Sequence, residues 1–171
     1  MKIEHYIETN LLQSLKTKRI DDIRISAIIE ETGICKGTFY KYYQDKYSLL
    51  IRSFENFYYN DILRDSDNWE SFVLNALGAF KSNPAIIINA FDSSDVNSLR
   101  TYHEKLMLNY FFTGAVAERG EFYSYSAAVF VRCVTDTILD WLKNKCLDSE
   151  EVVLSRIKAI MPVTLSAALN V

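Results

Sequence analysis

One segment, residues 25–47, constrains the fold of this chain more than any other. Ile25 and Ile28 recur at helical spacing and give its first half one apolar face. Gly33 follows, where a left-handed helix cap is cheapest, and a second short helix is expected over residues 36–42. Two helices joined by so tight a turn are typical of a helix-turn-helix, whose second helix enters the major groove of DNA.

The second helix of this segment divides into an inward and an outward face. Phe39 and Tyr43 are four residues apart and are expected to pack inward. Gly37 costs about 1 kcal/mol relative to alanine inside a helix, which indicates close approach of a DNA backbone or a thymine methyl group. The outward face carries cations and hydroxyl groups: Lys36, Thr38, Tyr40 and Lys41.

The run from Gly33 to Lys46, GICKGTFYKYYQDK, resembles the DNA-binding domain of the tetracycline-repressor family of bacterial regulators. The resemblance holds over fourteen consecutive positions, including the Lys-Gly-Thr-Phe-Tyr run and the lysine that opens the fourth helix. Cys35 stands where the family usually has a serine or threonine cap, a change that costs about 1 kcal/mol. Arg24 replaces a capping threonine, and we expect Asp22 to cap the second helix instead.

The resemblance implies DNA-binding roles residue by residue. Lys36, Thr38 and Lys41 would reach base edges or nearby phosphates in the major groove. Tyr40 and Tyr42 would donate their hydroxyl groups to phosphates, which positions the helix without reading sequence. The alternative is that both are half-buried packing aromatics. Two further phosphate contacts and the close approach at a glycine complete the predicted DNA-binding set: Ser26, Lys46 and Gly37.

Charge supports this interpretation only through its distribution, since the net charge is −3. Residues 1–50 carry eight Lys and Arg against seven Asp and Glu, whereas residues 51–171 carry eleven against fifteen. Three basic groups cluster on the predicted DNA-binding surface: Lys36, Lys41 and Lys46. Because this positive patch is small, we expect tight binding only at a specific DNA site. Ordinary surface charge is the alternative explanation of this cluster.

Composition favours an all-α fold and excludes several classes of protein. The chain is 49% apolar, with two prolines and five glycines, and lacks alternating stretches. No segment approaches the roughly 18 consecutive apolar residues of a membrane span, and the first ten residues lack the apolar core of a signal peptide. Three cysteines without paired spacing predict reduced thiols and a cytoplasmic location: Cys35, Cys133 and Cys146.

Residues that carry catalysis or bind metals are not grouped in the sequence. The two histidines, His5 and His103, fall in different predicted domains, which argues against a metal cluster or a catalytic triad. No glycine-rich phosphate loop occurs. We therefore predict no catalytic residue, no metal and no cofactor, and a protein that is not an enzyme.

We predict a three-helix helix-turn-helix domain over residues 1–47 and a helical effector-binding and dimerisation bundle over residues 48–171, with about nine helices in all. A fourth helix over about residues 46–63, which we expect Asp45 to cap, connects the two. Three local features are also expected. The loop at residues 92–95 should cap the next helix. Arg132 should pair with Asp136, one turn later. Asp148 and Glu151 should form a capping box.

Two sets of apolar side chains are candidates for sites in the second domain. Aromatic residues at helical spacing are candidates for an effector pocket, with a plain core as the alternative: Trp69, Phe72, Phe80, Phe91, Tyr102, Tyr110 and Phe130. The last two predicted helices have apolar arcs that suit a four-helix dimer interface, with burial inside one chain as the alternative. Their candidate residues are Val134, Ile138, Trp141, Val153, Ile157 and Ile160.

We therefore expect a homodimeric, sequence-specific regulator that binds a double-stranded DNA operator, a repressor released by an effector. The effector would be a small molecule or a partner protein, and no membrane partner is expected. The alternative is a helical small-molecule or partner-protein binding module without useful DNA recognition. A steep dependence of DNA binding on salt would distinguish the regulator from this module.

Overall fold

The computed structural model describes residues 2–169, except for the side chains of residues 114–119, 122, 167 and 168. Every regular element within residues 2–169 is helical, which confirms the predicted all-α fold. The helices are α1 (Ile3–Ser14), α2 (Ile25–Thr32), α3 (Lys36–Tyr42), α4 (Lys46–Phe54), α5 (Asn60–Arg64), α6 (Trp69–Lys81), α7 (Pro84–Phe91), α8 (Leu99–Arg119), α9 (Glu121–Lys143), α10 (Glu150–Ala159) and α11 (Val163–Leu169). A 3-10 turn, Ile20–Asp22, precedes α2, and a π-helical segment, Glu55–Tyr59, joins α4 to α5.

The chain divides into two compact units. Unit 1 comprises Met1–Asp61 and Asn83–Thr101, and unit 2 comprises Ile62–Ser82 and Tyr102–Val171. Helix α7 therefore belongs to unit 1, although α6 before it belongs to unit 2. The boundary predicted between residues 47 and 48 separates two roles, DNA binding and effector binding, and it stays a prediction.

The core of unit 1 is made by the apolar faces of α1 to α4. Ile7 and Leu11 of α1, Ile28 of α2, Phe39 of α3 and Leu50 of α4 are at most 1% exposed. These helices are short, so their stability comes from this shared burial rather than from propensity. The packing leaves one side of α2 and of α3 to solvent.

Local signals set the ends of the helix-turn-helix as predicted. Gly33 ends α2 in the left-handed conformation, with φ of 67°. Asp45 caps α4 in a capping box: its carboxylate accepts the Ser48 N–H at 2.7 Å, and the Ser48 hydroxyl accepts the Asp45 N–H at 3.1 Å. The expected cap by Asp22 is wrong, because Arg24 occupies the N-cap position of α2 and no side-chain hydrogen bond caps that end.

Two other predicted caps are also wrong. Helix α8 begins after Ser98, whose hydroxyl accepts the Thr101 N–H at 3.4 Å, and not after residues 92–95. Helix α10 is capped by Ser149. The Asp148 carboxylate instead accepts from the Arg156 guanidinium at 2.6 Å, so the predicted box with Glu151 does not form.

Arg132 has a partner other than the predicted Asp136. Its guanidinium Nε lies 3.3 Å from Glu104 Oε2, and its side chain is 64% exposed. The ion pair is therefore a surface contact between α9 and α8, of a kind that contributes at most about 1 kcal/mol to stability.

In unit 2, α6, α9 and α10 share a core, with α11 against α9. Leu77, Phe130 and Ile157 are among its buried side chains. Two ion pairs also join α6 to α10: Lys81 with Glu150 at 3.0 Å, and Lys158 with Glu70 at 2.6 Å. Within the described residues, no single helix is long and apolar enough to cross a membrane, and α6 and α7 pass that test only as a pair.

Candidate nucleic-acid interface

Helix α3 presents the face that the sequence predicted. Phe39 is fully buried and Tyr43 is 5% exposed, and their rings lie 5.7 Å apart. Lys36 and Lys41 are exposed, and Tyr40 is 47% exposed. Burial of the two inward aromatic residues thus fixes the orientation of α3 and turns its polar side chains outward.

The exposed cations of α3 lie over neighbouring phenol rings. Lys36 Nζ is 5.9 Å from the centre of the Tyr40 ring, and Lys41 Nζ is 5.5 Å from that of Tyr42. These cation–π contacts restrict where each ammonium group can lie. Each pair presents an ammonium and a hydroxyl together, which suits donation to neighbouring phosphate oxygens.

The amino end of α3 is unusual because a thiol occupies the cap position. Cys35 makes no side-chain hydrogen bond to the helix backbone, but its Sγ lies 3.1 Å from the Thr38 hydroxyl. This hydrogen bond holds the pKa of the exposed thiol below its ordinary value. The half-buried Thr38 hydroxyl is thus already engaged within the protein.

Gly37 has no packing partner that would require a glycine. Among the described residues, a Cβ at Gly37 would approach only Cys35 Sγ, at 4.0 Å, which is an ordinary contact. The cost of a glycine inside α3 is therefore not explained by the packing of the chain itself.

Lys46 has a structural role that the sequence did not reveal. Its ammonium donates to the backbone carbonyls of Ile20 at 2.9 Å, Asp21 at 2.8 Å and Ile23 at 3.2 Å. All three of its N–H groups are used by the 3-10 turn and the residue after it. Because these carbonyls precede Lys46 by 23 to 26 positions, no local pattern could have indicated the contact.

Helix α2 adds polar groups beside the turn. Ser26 is exposed, as a phosphate contact would require. Two basic side chains outside the predicted set, Lys18 and Arg24, are also exposed and line a recess of about 160 Å³ at the start of α2. Lys18 and Arg24 are separated in sequence, and Asp22 was expected to cap α2, so the sequence did not indicate these two side chains.

The predicted effector-pocket residues are only partly brought together. Three of the seven line one cavity of about 250 Å³ in unit 2: Trp69, Phe72 and Tyr110. Three others of unit 2 are buried or half-buried: Phe80, Phe130 and Tyr102. Phe91 belongs to unit 1, where its ring packs 6.1 Å from that of Phe54.

Most of the predicted dimer-interface residues lie inside the protomer. Four are at most 6% exposed: Ile138, Trp141, Val153 and Ile157. The core of one chain thus accounts for their apolar character. Val134 is half-buried, and Ile160 is 49% exposed. A different exposed stretch of α9 carries Tyr125, which is 70% exposed, Val129, which is 38% exposed, and the exposed Cys133.

Comparison with known families identifies the second half of the chain. Residues 67–162 match a TetR family model described as "Transcriptional regulator C-terminal region". The match covers more than half of the chain and contains α6 to α10. No curated protein matches the chain. Since the helix-turn-helix precedes the matched region, the chain belongs to the TetR family of transcriptional regulators.

Proposed function

We propose that this regulator binds a double-stranded DNA operator sequence-specifically through α3, as a homodimeric repressor that an effector releases. The observation that carries the proposal is the division of α3 into two faces. Phe39 and Tyr43 are buried, while Lys36, Tyr40 and Lys41 are turned to solvent. A helix of this kind fits the major groove of B-DNA, which is about 12 Å wide.

The exposed groups of α3 favour separate tasks. Lys36 and Lys41 supply charged donors for base edges or phosphates, and Tyr40 and Tyr42 supply hydroxyl groups for phosphates. The Thr38 hydroxyl would contribute to base reading by bonding a base edge, either in place of the Cys35 thiol or together with it. A glycine at residue 37, which the packing of the chain does not require, supports close approach of the DNA there.

The contribution of Lys46 to DNA binding is expected to be indirect. Since its three N–H groups are bonded to carbonyls, a direct hydrogen bond to phosphate would require breaking one of them. Its charge and the free backbone N–H groups at the start of α4 still favour a phosphate nearby. Lys46 also holds the segment before α2 in place, which positions the reading helix.

Residues 83–101 support a path by which effector binding would act on the DNA-binding helix α3. They lie within the matched C-terminal region, yet they cluster with unit 1. Asn89 donates to the Leu15 carbonyl at 2.8 Å, and Arg19 pairs with Asp92 at 3.0 Å. A ligand-driven shift of this segment would therefore act on the turn between α1 and α2. A coupling of about 1–3 kcal/mol would change DNA affinity about 5- to 150-fold.

A homodimer is proposed because one α3 reads only half of an operator. A two-fold dimer matches a pseudo-palindromic site, with one half-site for each protomer. The exposed apolar stretch of α9, from Tyr125 through Val129 to Cys133, is the surface that we assign to this contact.

The test of DNA binding is a fluorescence-anisotropy titration with DNA from upstream of the gene and with scrambled DNA, at two salt concentrations. We expect saturable, salt-sensitive binding that prefers the native fragment. Equal weak binding to both fragments, followed by no enriched sequence in a genome-wide selection, would contradict the proposal and favour a binding module that does not read DNA.

Four variants separate the roles within the interface. Tyr40→Phe and Lys46→Ala should weaken binding to every sequence, whereas Lys36→Ala and Thr38→Ala should relax preference at a few positions. Lys143→Ala, at an exposed site on α9, is the control that should bind as the parent does. Equal loss on every DNA from all four variants would show that these roles are not separate.

A further inference from the structure

We propose that the cavity at the start of α6 binds a small organic ammonium ion, and that this ion is the effector. The effector role rests on the proposed function, but the binding site stands on its own geometry. The cavity has a volume of about 250 Å³ and lies wholly within unit 2, between the start of α6, the middle of α8 and the end of α11.

Aromatic rings supply most of the apolar part of this cavity's lining, and polar groups supply the larger part of its open surface. Trp69 and Phe72 of α6 are each 5% exposed, whereas Tyr110 of α8 is 54% exposed. The Phe111 ring packs edge-on against Phe72 at 5.0 Å and against Tyr110 at 4.9 Å. These edge-to-face contacts orient the Phe72, Phe111 and Tyr110 rings relative to one another without a ligand.

The polar part of the lining contains one charged group. Ser66 donates to the Ile62 carbonyl at 2.5 Å, and Asn68 Oδ1 accepts the Ser71 N–H at 2.9 Å, so the Ser66 hydroxyl and the Asn68 oxygen are engaged within the protein. Asp67 is exposed, and its carboxylate makes no hydrogen bond or ion pair with the described residues. The cavity lining includes no Lys, Arg or His.

This combination of groups selects the chemical class of the ligand. The faces of Trp and Tyr rings attract cations, most strongly where water is excluded, and they are the usual partners of quaternary ammonium groups. The Asp67 carboxylate adds attraction for a positive charge and repels an anion. A neutral apolar molecule would use the rings but would gain nothing from Asp67.

The volume limits the size of this cation. Pockets for drug-sized ligands span roughly 300–1,000 Å³, so this cavity takes a smaller molecule. Choline is a suitable probe, and 3,3-dimethylbutan-1-ol is its matched control, because it has nearly the same shape without the positive charge.

The binding test uses the full chain without DNA. Trp69 lines the cavity, and Trp141 is the other tryptophan, so Trp141→Phe leaves emission from Trp69 alone. We expect choline to change this emission saturably and to bind about tenfold more tightly than the neutral alcohol. Calorimetry on the unsubstituted chain should give the same order of affinities.

Variants of two residues that line the cavity distinguish specific binding of choline from nonspecific association. Asp67→Asn and Tyr110→Leu should each weaken choline binding severalfold. Asp65→Asn is the matched control, because that carboxylate is two residues away and pairs with Arg64 at 2.9 Å. Equal affinity for choline and the alcohol, no saturation up to tens of millimolar, or no effect of either variant would overturn the site.

The effector role has a separate readout. Choline should lower the affinity of the regulator for its operator. Asp67→Asn should shift that response to severalfold higher choline concentrations while leaving DNA binding without choline unchanged. Saturable choline binding with no change in DNA affinity would overturn the effector role. If the protein did not bind DNA, the fluorescence titration with choline would still test the cavity. The proposed function and the proposed binding site are therefore tested independently.

Discussion

The ammonium group of Lys46 lies 2.8 Å from the backbone carbonyl oxygen of Asp21, which joins the start of α4 to the turn before α2. Tyr47, the next residue, donates its hydroxyl to the Asp21 carboxylate at 2.9 Å. Two successive side chains of α4 thus hold one residue of the turn. The placement of the helix-turn-helix against α4 depends on these contacts as well as on its apolar core.

Replacing Lys46 by methionine should destabilise the fold. Lys46→Met keeps most of the side-chain volume but leaves three carbonyls without their charged donor. Hydrogen bonds to a charged group contribute about 1.5–3 kcal/mol, and partial access of water to the turn places the expected loss near the lower end. Urea unfolding, monitored by circular dichroism, measures this loss in the free energy of unfolding. Lys41→Met, at an exposed site, is the control, and equal stability of both variants would contradict the structural role of Lys46.

Tyr43 should make stability depend on alkaline pH. Burial and a hydrogen bond to Glu8 Oε1, at 3.0 Å, raise the pKa of Tyr43 well above its ordinary value of 10. Above about pH 10 the unfolded chain loses this proton while the folded chain keeps it, so stability falls as pH rises. In Tyr43→Phe this decline should be shallower between about pH 9 and pH 11 in urea titrations.

The same substitution has a cost at neutral pH. Glu8 is 1% exposed, and its two oxygens accept from Tyr43 and from the Asn56 amide, at 3.0 and 2.9 Å. Removing one donor from a buried carboxylate should lower the free energy of unfolding by about 1–3 kcal/mol. A Tyr43→Phe protein that matched the parent at neutral pH and kept its alkaline decline would show that this contact is unimportant.

The sequence predicted those features that depend on neighbouring residues. The two faces of α3, the left-handed Gly33 and the Asp45 cap all follow from spacing within a few positions, and the structure contains each of them. Contacts between distant residues were missed. Glu8 meets Tyr43 and Asn56 across 35 and 48 positions, and local periodicity carries no information about such pairs.

The apolar arc of α9 shows why the candidate interface could not be fixed from the sequence. An arc this wide serves equally to pack a core and to bind a second chain. The structure places Ile138 and Trp141 in the core of the protomer, because α6 and α10 both pack against α9. Only the three-dimensional arrangement distinguishes these residues from Val129, which remains partly exposed.

Cys35 should be alkylated faster than Cys146. The Thr38 hydroxyl lowers the pKa of the Cys35 thiol, whereas burial raises the pKa of Cys146. Since the thiolate is the reactive form, iodoacetamide at neutral pH should label Cys35 before Cys146, as read by mass spectrometry. Thr38→Val should slow labelling of Cys35 and leave that of Cys146 unchanged. Equal rates at the two cysteines would contradict this prediction.

Labelling of Cys35 also tests the reading surface. A bulky maleimide at the amino end of α3 should block DNA binding if this end faces the groove. In a Cys133→Ser background, Cys35→Ser removes the thiol at the start of α3 and restores a better cap, so this variant should keep binding DNA after the reagent is added. Full DNA binding by a protein labelled at Cys35 would place the interface elsewhere.

Val129→Glu should convert the proposed dimer to a monomer. Tyr125, Val129 and Cys133 follow one another at intervals of four on the exposed side of α9, so they form one apolar stripe. Two-fold symmetry would bring two such stripes together, and a glutamate on each would be buried near its copy. Analytical ultracentrifugation measures the shift from dimer to monomer. Leu147→Glu, at a side chain 84% exposed outside α9, should leave the dimer intact.

Oxidative cross-linking supplies an independent measurement of the same contact. Because Cys133 ends the stripe, a two-fold axis near it would allow a disulfide between protomers, which Cys133→Ser would abolish. Loss of the dimer in Leu147→Glu but not in Val129→Glu would move the interface away from α9. A monomeric parent protein would contradict the homodimer, and each chain would then present a single α3 to DNA.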